Sequence, residues 1–276
     1  MAAPAHEDLS LGTWRRDPGT VVRRAVSVPA GDAASLTIIA ESEVPGVATD
    51  WPLHSHPMHE LVWVRRGTLT ARIGNRIVTV PPGFGLWLPA GVVHGGRLTA
   101  AAELHDAFFA PDRTPVEFAG PTSIAVSSLL ESLLSRLART DLDAGARART
   151  EAVVFDVLEP AERQFALELP GDSRIDPIAE ALLANPSDDR GLLEWAAHLD
   201  LSDRTITRAF RAATGLSFAQ WRQALRIHHA LALLSEGADV GSVSERLGYA
   251  QPSTFIAAFR RVMKVTPGLL APSFRA

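Results

Sequence analysis

Hydrophobic positions recur at strand spacing through the first part of the chain. Between residues 21 and 118, short apolar and β-branched runs are interrupted by Gly, Pro and Asn. Gly74-Asn75 lies between two of these runs and predicts a hairpin, because both residues tolerate positive φ. Several short strands at this spacing predict a small barrel or sandwich. The runs are Ser35–Ala40, Glu60–Arg65, Thr68–Ile73, Ile77–Val80 and Phe84–Leu88.

The spacing changes to that of a helix after residue 121. Residues 122–140 carry a stripe of leucines, and residues 143–160 continue the helical pattern up to Pro160. These two predicted helices either form a connector with a dimerisation surface or pack against the strand-rich region, and the pattern fits both. The stripe consists of Leu129, Leu130, Leu133, Leu134 and Leu137.

Residues 161–175 are predicted to be a linker, and helices follow to the end of the chain. Ser202 and Ser217 are predicted N-caps, because serine is a strongly preferred cap residue. The first capped helix closes at Thr214-Gly215, and the second runs through Leu234 to Glu236-Gly237. At about 1.5 Å per residue, this second helix is a strut of roughly 26 Å.

The strut separates two copies of one local pattern, at residues 195–210 and 243–259. Each copy reads as a short helix, a tight turn and a second short helix, whose apolar residues lie four positions apart (Ile206 and Phe210, then Phe255 and Phe259). This is a helix-turn-helix motif in duplicate. The second helix of such a motif enters the DNA major groove. The strut would hold the two second helices about one DNA turn apart, so that one chain contacts two groove segments.

Composition limits the classes of protein. The 276 residues exceed one typical domain. The absence of cysteine excludes disulfides, thiolate nucleophiles and Cys-ligated metals. The amino terminus lacks a basic start followed by an apolar core, and no apolar stretch reaches about 18 residues. We therefore expect no signal peptide, no membrane partner and a cytoplasmic location.

Charge is distributed unevenly. Residues 1–175 hold 16 Arg and 21 acidic residues, a net charge of −5, whereas residues 176–276 hold 11 basic and 10 acidic residues, a net charge of +1. Nonspecific affinity for DNA depends on neutralising phosphates. The weak positive charge of the helical region therefore predicts modest nonspecific binding.

The helical region resembles the DNA-binding domain of the AraC/XylS family of bacterial transcription regulators. The resemblance covers about residues 176–273 and implies two helix-turn-helix units joined by one long helix. It further implies promoter DNA as a partner, a homodimer, and RNA polymerase as a partner if the protein is an activator. The matched positions include Ser202, Arg204, Arg208-Ala209-Phe210-Arg211, Gly215-Leu216-Ser217-Phe218, Leu225-Arg226, Leu247-Gly248-Tyr249, Phe259-Arg260-Arg261 and Thr266-Pro267.

The first recognition helix carries the stronger set of base-reading residues. Arg204, Thr207 and Arg208 stand where the family faces bases, and they share one helix face. An arginine fork can donate to guanine O6 and N7 together, although arginines that contact only phosphate are common. The residues assigned to DNA in this helix are Arg204, Thr205, Thr207 and Arg208.

The second recognition helix departs from the family pattern. Ile256 and Ala257 stand where the family often carries polar residues or arginine. We therefore expect weaker sequence reading here, through thymine methyl groups and phosphate anchoring. In the first unit, Asp200 replaces the usual turn glycine but tolerates left-handed φ. The residues assigned to DNA in the second helix are Gln251, Ser253, Thr254 and Arg260.

Histidines and a glutamate cluster in the strand-rich region. His54 and His56 are two positions apart, so that on a strand both side chains point to one side. Glu60 begins the next predicted strand, and His94 follows a turn. Three imidazoles and one carboxylate can bind one divalent transition metal (Zn, Mn, Fe, Co or Ni) and leave positions open to water or a ligand.

The same residues resemble the two motifs of the cupin family. All four ligand positions of that family are present, but Leu98 stands where it carries Asn. The resemblance implies that residues 21–118 form a cupin-like sensor domain. The alternative is that the four residues are inherited framework around a metal-free pocket for an organic effector. The motif residues are His54, His56, Glu60 and Gly67, then Gly83, Pro89, Gly91 and His94.

The predicted fold class is α+β, with a cupin-like β-barrel, a helical connector and an all-α double helix-turn-helix domain. We divide the chain into a loose segment (1–20), the sensor domain (21–118), a connector or dimerisation region with its linker (119–172) and the DNA-binding domain (173–276). Trp51, Trp63 and Trp87 are assigned to an effector pocket, against the alternative that strand aromatics belong to the core.

Three functions fit these features. The favoured one is a transcription regulator whose cupin-like domain senses a small molecule or a metal. The rival is a metal-dependent cupin enzyme, a dioxygenase or isomerase, fused to a DNA-binding domain. The third is a metal-storage or scaffold module. We assign no catalytic residue and expect no enzyme, because only His59 and His105 lie near the motifs as further acid–base groups.

Overall fold

The computed structural model of the protein describes residues 19–23, 37–163 and 165–268. Apart from its last two residues, the predicted loose segment 1–20 lies outside them. The strands are β1 (Val21–Val22), β2 (Ile38–Glu43), β3 (Thr49–His54), β4 (His59–Arg66), β5 (Leu69–Ile73), β6 (Arg76–Val80), β7 (Phe84–Leu88), β8 (His94–Leu98), β9 (Glu103–Phe109), β10 (Thr122–Ala125) and β11 (Ala166–Glu168). The helices are α1 (Ser128–Leu137), α2 (Ala144–Val157), α3 (Asp176–Ala184), α4 (Leu192–His198), α5 (Asp203–Thr214), α6 (Phe218–Ser235), α7 (Val240–Arg246) and α8 (Pro252–Met263).

The strands form two sheets that face each other. One has the order β1-β3-β8-β5-β6-β11, which we call the six-stranded sheet, and the other has the order β10-β7-β4-β9-β2, the five-stranded sheet. Their inner faces share one apolar cluster, which includes Val62 and Leu104 of the five-stranded sheet and Leu69 and Val78 of the six-stranded sheet. The predicted α+β class is confirmed, with the β domain built as a two-sheet sandwich rather than a closed barrel.

Strand predictions hold where local turns bound the strands. β5 and β6 pair as a hairpin across Gly74-Asn75, and Gly74 has a φ of 54°. β3, β8 and β9 were not predicted, because sequences such as Trp51-Pro52 and Gly95-Gly96 have low strand propensity and pair through tertiary contacts. Residues 122–125 were predicted to be helical but form β10, paired antiparallel with β7.

The first two helices cover the outer face of the five-stranded sheet. Leu130, Leu134 and Leu137 are buried in one cluster with aromatic and aliphatic residues of that sheet. Of the two interpretations of the leucine stripe, this arrangement matches the one in which the helices pack against the strand-rich region. Leu129, in contrast, is 52% exposed.

Helix boundaries in the carboxyl-terminal part follow the predicted capping signals. The Ser202 hydroxyl accepts a hydrogen bond from the Thr205 N–H, and Ser217 forms a capping box with Gln220. α5 ends at Gly215 with a φ of 73°. Asp200 has a φ of 53° and forms the first helix-turn-helix turn in the left-handed conformation, as expected.

The predicted linker is partly a strand. β11, formed by residues 166–168, pairs antiparallel with β6 and extends the six-stranded sheet. The linker therefore runs along the sheet, and helices α3 to α8 follow it in the chain. Among the described residues, no helix is long and apolar enough to cross a bilayer.

Candidate functional site

The predicted metal ligands come from β3, the loop after it, β4 and β8. His54 ends β3 and is paired with His94, the first residue of β8, so that their imidazoles meet across the two strands. His56 lies in the loop after β3, and Glu60 is the second residue of β4. The sandwich thus brings together residues from both sheets that are up to forty positions apart.

Three of the four side chains converge. The Glu60 Oε2 atom is 2.9 Å from His56 Nε2 and 3.4 Å from His94 Nε2. The ligand atoms of these three residues lie within 4.8 Å of one another. His54 is not part of this group, although its ring centroid is 4.3 Å from that of His94.

Backbone carbonyls fix the tautomer of all three histidines. The Nδ1 atoms of His54, His56 and His94 lie 2.8, 2.7 and 2.9 Å from the carbonyl oxygens of Pro52, Met58 and Val92. A carbonyl oxygen only accepts, so each Nδ1 carries the proton and donates it. The neutral form of each ring therefore has its lone pair on Nε2, which is the second-sphere arrangement of metal-binding histidines.

The electrostatics of the cluster are those of a proton-linked pair. Burial disfavours the Glu60 carboxylate, but hydrogen bonds with His56 and His94 outweigh burial and hold the pKa of Glu60 well below its ordinary value. Burial also disfavours the charged form of His56, yet the bond to Glu60 raises the pKa of His56 above 6.5. Burial lowers the pKa of His54. The pairing thus favours a proton between His56 and Glu60, and a metal ion bound at these atoms would compete with that proton.

This donor set fits a divalent transition metal. Two imidazole Nε2 atoms and one carboxylate are ligands that proteins use for zinc and for iron(II), with coordination positions left open. His94 and Glu60 are buried, and His56 is partly buried. The metal ligands would therefore be His56, Glu60 and His94, with His54 adjacent.

The cluster lies at one end of an acidic cavity between the sheets. Glu41, Glu43 and Asp106 line this cavity in addition to Glu60, and no lysine or arginine of the described residues lines it. Burial raises the pKa of Asp106, and the carboxylates of Glu60 and Glu41 raise it further. Most of the other lining side chains are apolar, so the carboxylates set the sign of the cavity and favour cations over anions.

Sequence reasoning missed Glu41 and Asp106. These two residues are paired across β2 and β9. Alternate side chains of a strand share one face. On both of these strands, the face that carries Glu41 or Asp106 lines the cavity. The signal was available only once the register of two distant strands was known.

Of the three predicted pocket tryptophans, Trp51 lines the cavity and the other two do not. Trp63 and Trp87 are 2% and 1% exposed and pack on the outer face of the five-stranded sheet, with α1 and α2. Strand alternation explains this correction, since Val62 and Leu88, their chain neighbours, face the cavity instead. Trp87 lines a separate cavity with His59 and Phe118.

The first recognition helix presents the predicted base-reading face. Arg204 and Arg208 are exposed and Thr207 is half-buried, whereas Ile206 and Phe210 are fully buried on the opposite face. Thr205 differs from the other assigned residues. Its hydroxyl is 2.8 Å from the Ser202 hydroxyl, so it takes part in the helix cap.

The second recognition helix is also exposed along its assigned face. α8 begins with Pro252 at its first turn, and Phe255 and Phe259 are fully buried. Ile256 is 36% exposed, in the middle of the outer face. The assigned residues Gln251, Ser253, Thr254 and Arg260 are all exposed.

Comparisons with known proteins agree with this architecture. A helix-turn-helix domain family matches residues 195–271, and a cupin domain family matches residues 41–108. The chain is 33% identical over 225 residues to the HTH-type transcriptional regulator NimR of Escherichia coli (strain K12), covering 79% of this chain and 81% of NimR. It is 28% identical over 207 residues to the HTH-type transcriptional regulator RipA of Corynebacterium diphtheriae, covering 75% of this chain and 58% of RipA.

The relatives decide between the functions that the sequence left open. Both are named transcriptional regulators, and the matched domains are a DNA-binding domain and a cupin domain. The fused-enzyme alternative is therefore rejected. The chain belongs to the AraC/XylS family and is a DNA-binding transcription regulator with an amino-terminal cupin sensor domain.

Proposed function

We propose that this regulator senses a divalent transition metal, bound by His56, Glu60 and His94. The observation that carries the proposal is the pattern of Nδ1 hydrogen bonds, because it turns the Nε2 atoms of His56 and His94 toward the Glu60 carboxylate, where all three groups can act as ligands. Zinc, manganese, iron, cobalt and nickel all suit a nitrogen–oxygen set. The acidic cavity supports the same conclusion, since it attracts cations.

We propose that α5 and α8 read promoter DNA in the cytoplasm. The exposed polar faces of both helices and the 18-residue α6 between them support this. The protein would act as a homodimer, and RNA polymerase would be its partner at activated promoters. The segment boundaries at residues 118 and 172 remain predictions. β10 and β11 lie outside residues 21–118, but both strands belong to the two sheets of the sensor.

The test of the metal site is metal content. The full chain is purified without chelator and compared with a His56→Ala/Glu60→Ala variant and with a His59→Ala control. His59 is a suitable control because its Nδ1 accepts a hydrogen bond from the Ala90 N–H and it lies outside the ligand cluster. We expect near-stoichiometric metal in the parent and the control, and none in the double variant.

The same samples test whether the metal is a signal. The DNA used is a duplex that the parent protein selects from a random library. The affinity of the protein for this duplex is measured with and without chelator. A change on metal removal supports sensing. Unchanged affinity would indicate storage or scaffolding, and absence of metal from the parent after incubation with each of the five ions would indicate an organic effector pocket.

A further inference from the structure

The helix that joins the two reading units also lies against the sensor. In its second half, α6 forms side-chain hydrogen bonds with Thr68, the residue before β5, and with Thr79 of β6. The Thr68 hydroxyl donates to the Ser235 hydroxyl at 2.7 Å, and both residues are buried. Further along α6, the Thr79 hydroxyl is 2.7 Å from His228 Nδ1. The second half of α6 is thus held against the sensor.

Sensor residues also complete the hydrophobic core of the first helix-turn-helix unit. Ile77 of β6 and Leu167 of β11 are buried in one cluster with Ile206 and Phe210 of α5. The Trp221 indole N–H of α6 donates to the backbone carbonyl of Glu168 at 2.7 Å. The first unit therefore packs directly on the sheet edge that β6 and β11 form.

The second unit has the same arrangement. Phe165, just before β11, is 6% exposed and shares a cluster with Leu231 of α6 and with Phe255 and Phe259 of α8. Its ring lies edge-to-face on Phe84 of β7, with centroids 4.5 Å apart. The same surface of the sensor thus contributes side chains to the hydrophobic cores of both helix-turn-helix units.

This contact leaves the DNA-reading faces free. Arg204 and Arg208 of α5 and Ser253 and Thr254 of α8 are exposed while α6 is docked. The sensor therefore fixes the strut between the recognition helices without covering them. Holding two recognition helices in place before binding reduces the ordering cost of association.

Strands β3 and β8 connect the metal cluster to α6. β3 and β8 carry His54 and His94 at one end, and Asp50 and Arg97 are paired three to four residues away. At about 3.3 Å per residue, this is roughly 10 Å. Directly after β8, Thr99 exchanges two hydrogen bonds with Thr68, whose hydroxyl donates to Ser235 of α6.

We propose that docking of α6 on the six-stranded sheet forms the DNA-binding state, and that metal binding stabilises this docked state. The second part rests on the proposed metal function. A ligand can shift such an equilibrium only through a difference in its affinity for the two states. A bound metal would supply this difference in affinity by holding β3, β4 and β8 together at the end of these strands that lies away from Arg97. Linkage then requires DNA to raise the affinity for metal by the same factor.

The absence of cysteine from the chain permits a direct test. In a Thr68→Cys/Ser235→Cys variant, oxidation would lock α6 onto the sheet at the point where the two hydroxyls now meet. Thiol titration checks formation of the disulfide, and the two single-cysteine variants are controls. We expect the oxidised full chain to bind the selected duplex at least as tightly as the reduced chain and to lose its response to chelator.

A second variant tests the proposal without a disulfide. Phe165→Asp places a charge in the docked interface, far from the recognition faces, and Leu193→Asp is a control at a position that is 73% exposed. We expect Phe165→Asp to weaken binding of the duplex by about tenfold or more, the usual size of such coupling. Circular dichroism checks that both variants keep their helices.

The outcomes separate the two parts of the idea. Loss of DNA binding on oxidation, or unchanged binding by a folded Phe165→Asp variant, would overturn the docked state as the DNA-binding one. A chelator response that persists in the locked chain would overturn the coupling. If the parent holds no metal, the proposed function fails, but the effects of the lock and of Phe165→Asp on DNA affinity still decide the role of docking.

Discussion

Single side chains at the metal cluster are oriented by the backbone next to them. His54 and His94 each donate Nδ1–H to the carbonyl two residues before, and His56 donates to the carbonyl two residues after. These bonds need no distant partner, so the orientation of the rings follows from local geometry. What is not local is the approach of Glu60, which the packing of the two sheets provides.

At this scale, Arg208 gives the sharpest prediction on DNA reading. Arg208→Ala should weaken binding to the selected duplex by about 1–3 kcal/mol if the guanidinium contacts guanine, and should change binding to random DNA much less. The measurement is a pair of titrations at one salt concentration. Arg246→Ala is the control, since Arg246 is exposed at the end of α7, outside the recognition helices. Equal losses on both duplexes would identify Arg208 as a phosphate contact.

Residues differ in how far the sequence predicts their role. The four metal-ligand positions were visible in the motif spacing, and three of them converge. Trp63 and Trp87 were misplaced, because an aromatic residue in a strand fits either face until the register is known. Asp106 was missed for the same reason, since its partner Glu41 is on a strand 65 residues earlier.

At the level of elements, helices were predicted better than strands. The limits of α5 and α6 follow from Ser202, Gly215 and Ser217, whose capping chemistry is contained within a few residues. β8 and β11 depend on hydrogen bonds to strands far away in the chain, so their own sequences carry little signal. The helix predicted from residue 122 began too early because pairing with β7 outweighs local propensity there.

The core of the first helix-turn-helix unit should be sensitive to truncation. Phe210 is fully buried against Phe218 and Trp221, with ring centroids 5.4 and 5.3 Å away. Phe210→Ala should lower the free energy of unfolding by about 3–5 kcal/mol, measured by urea titration. The exposed Leu193→Ala should change it by no more than about 0.5 kcal/mol. An unchanged unfolding midpoint for Phe210→Ala would mean that the helix faces are assigned wrongly.

Across the whole molecule, the layers follow one another from α1 and α2 through the two sheets to α6. Two adjacent histidines, His228 and His229, lie on α6, the helix that packs against the six-stranded sheet. Burial lowers the pKa of each to about 4. The neighbouring His229 imidazole adds to this shift for His228, and the positive charge of Arg97 adds to it for His229. Arg97 is itself paired with Asp50. The docked molecule therefore holds both imidazoles neutral.

Stability should consequently fall in acid. Unfolding restores the ordinary pKa of 6.5, so the unfolded chain binds protons that the folded chain does not between pH 6.5 and pH 4. Each histidine should lower the free energy of unfolding by up to about 1.4 kcal/mol per pH unit in this window. Urea titrations from pH 7.5 to pH 4.5 measure the slope. A His228→Gln/His229→Gln variant should have a smaller slope, and an equal slope would exclude these two residues as its source.

The wall formed by Ile77, Phe165 and Leu167 has a consequence for protein engineering. Chimeric regulators are made by joining the sensor of one chain to the reader of another at the linker. A cut anywhere between residues 161 and 175 would leave Ile77 with the donor sensor while its packing partners in α5 and α6 come from the other parent. Exchanging sensors in this protein therefore requires redesign of the β6 surface together with the reader, because the two parts share their cores.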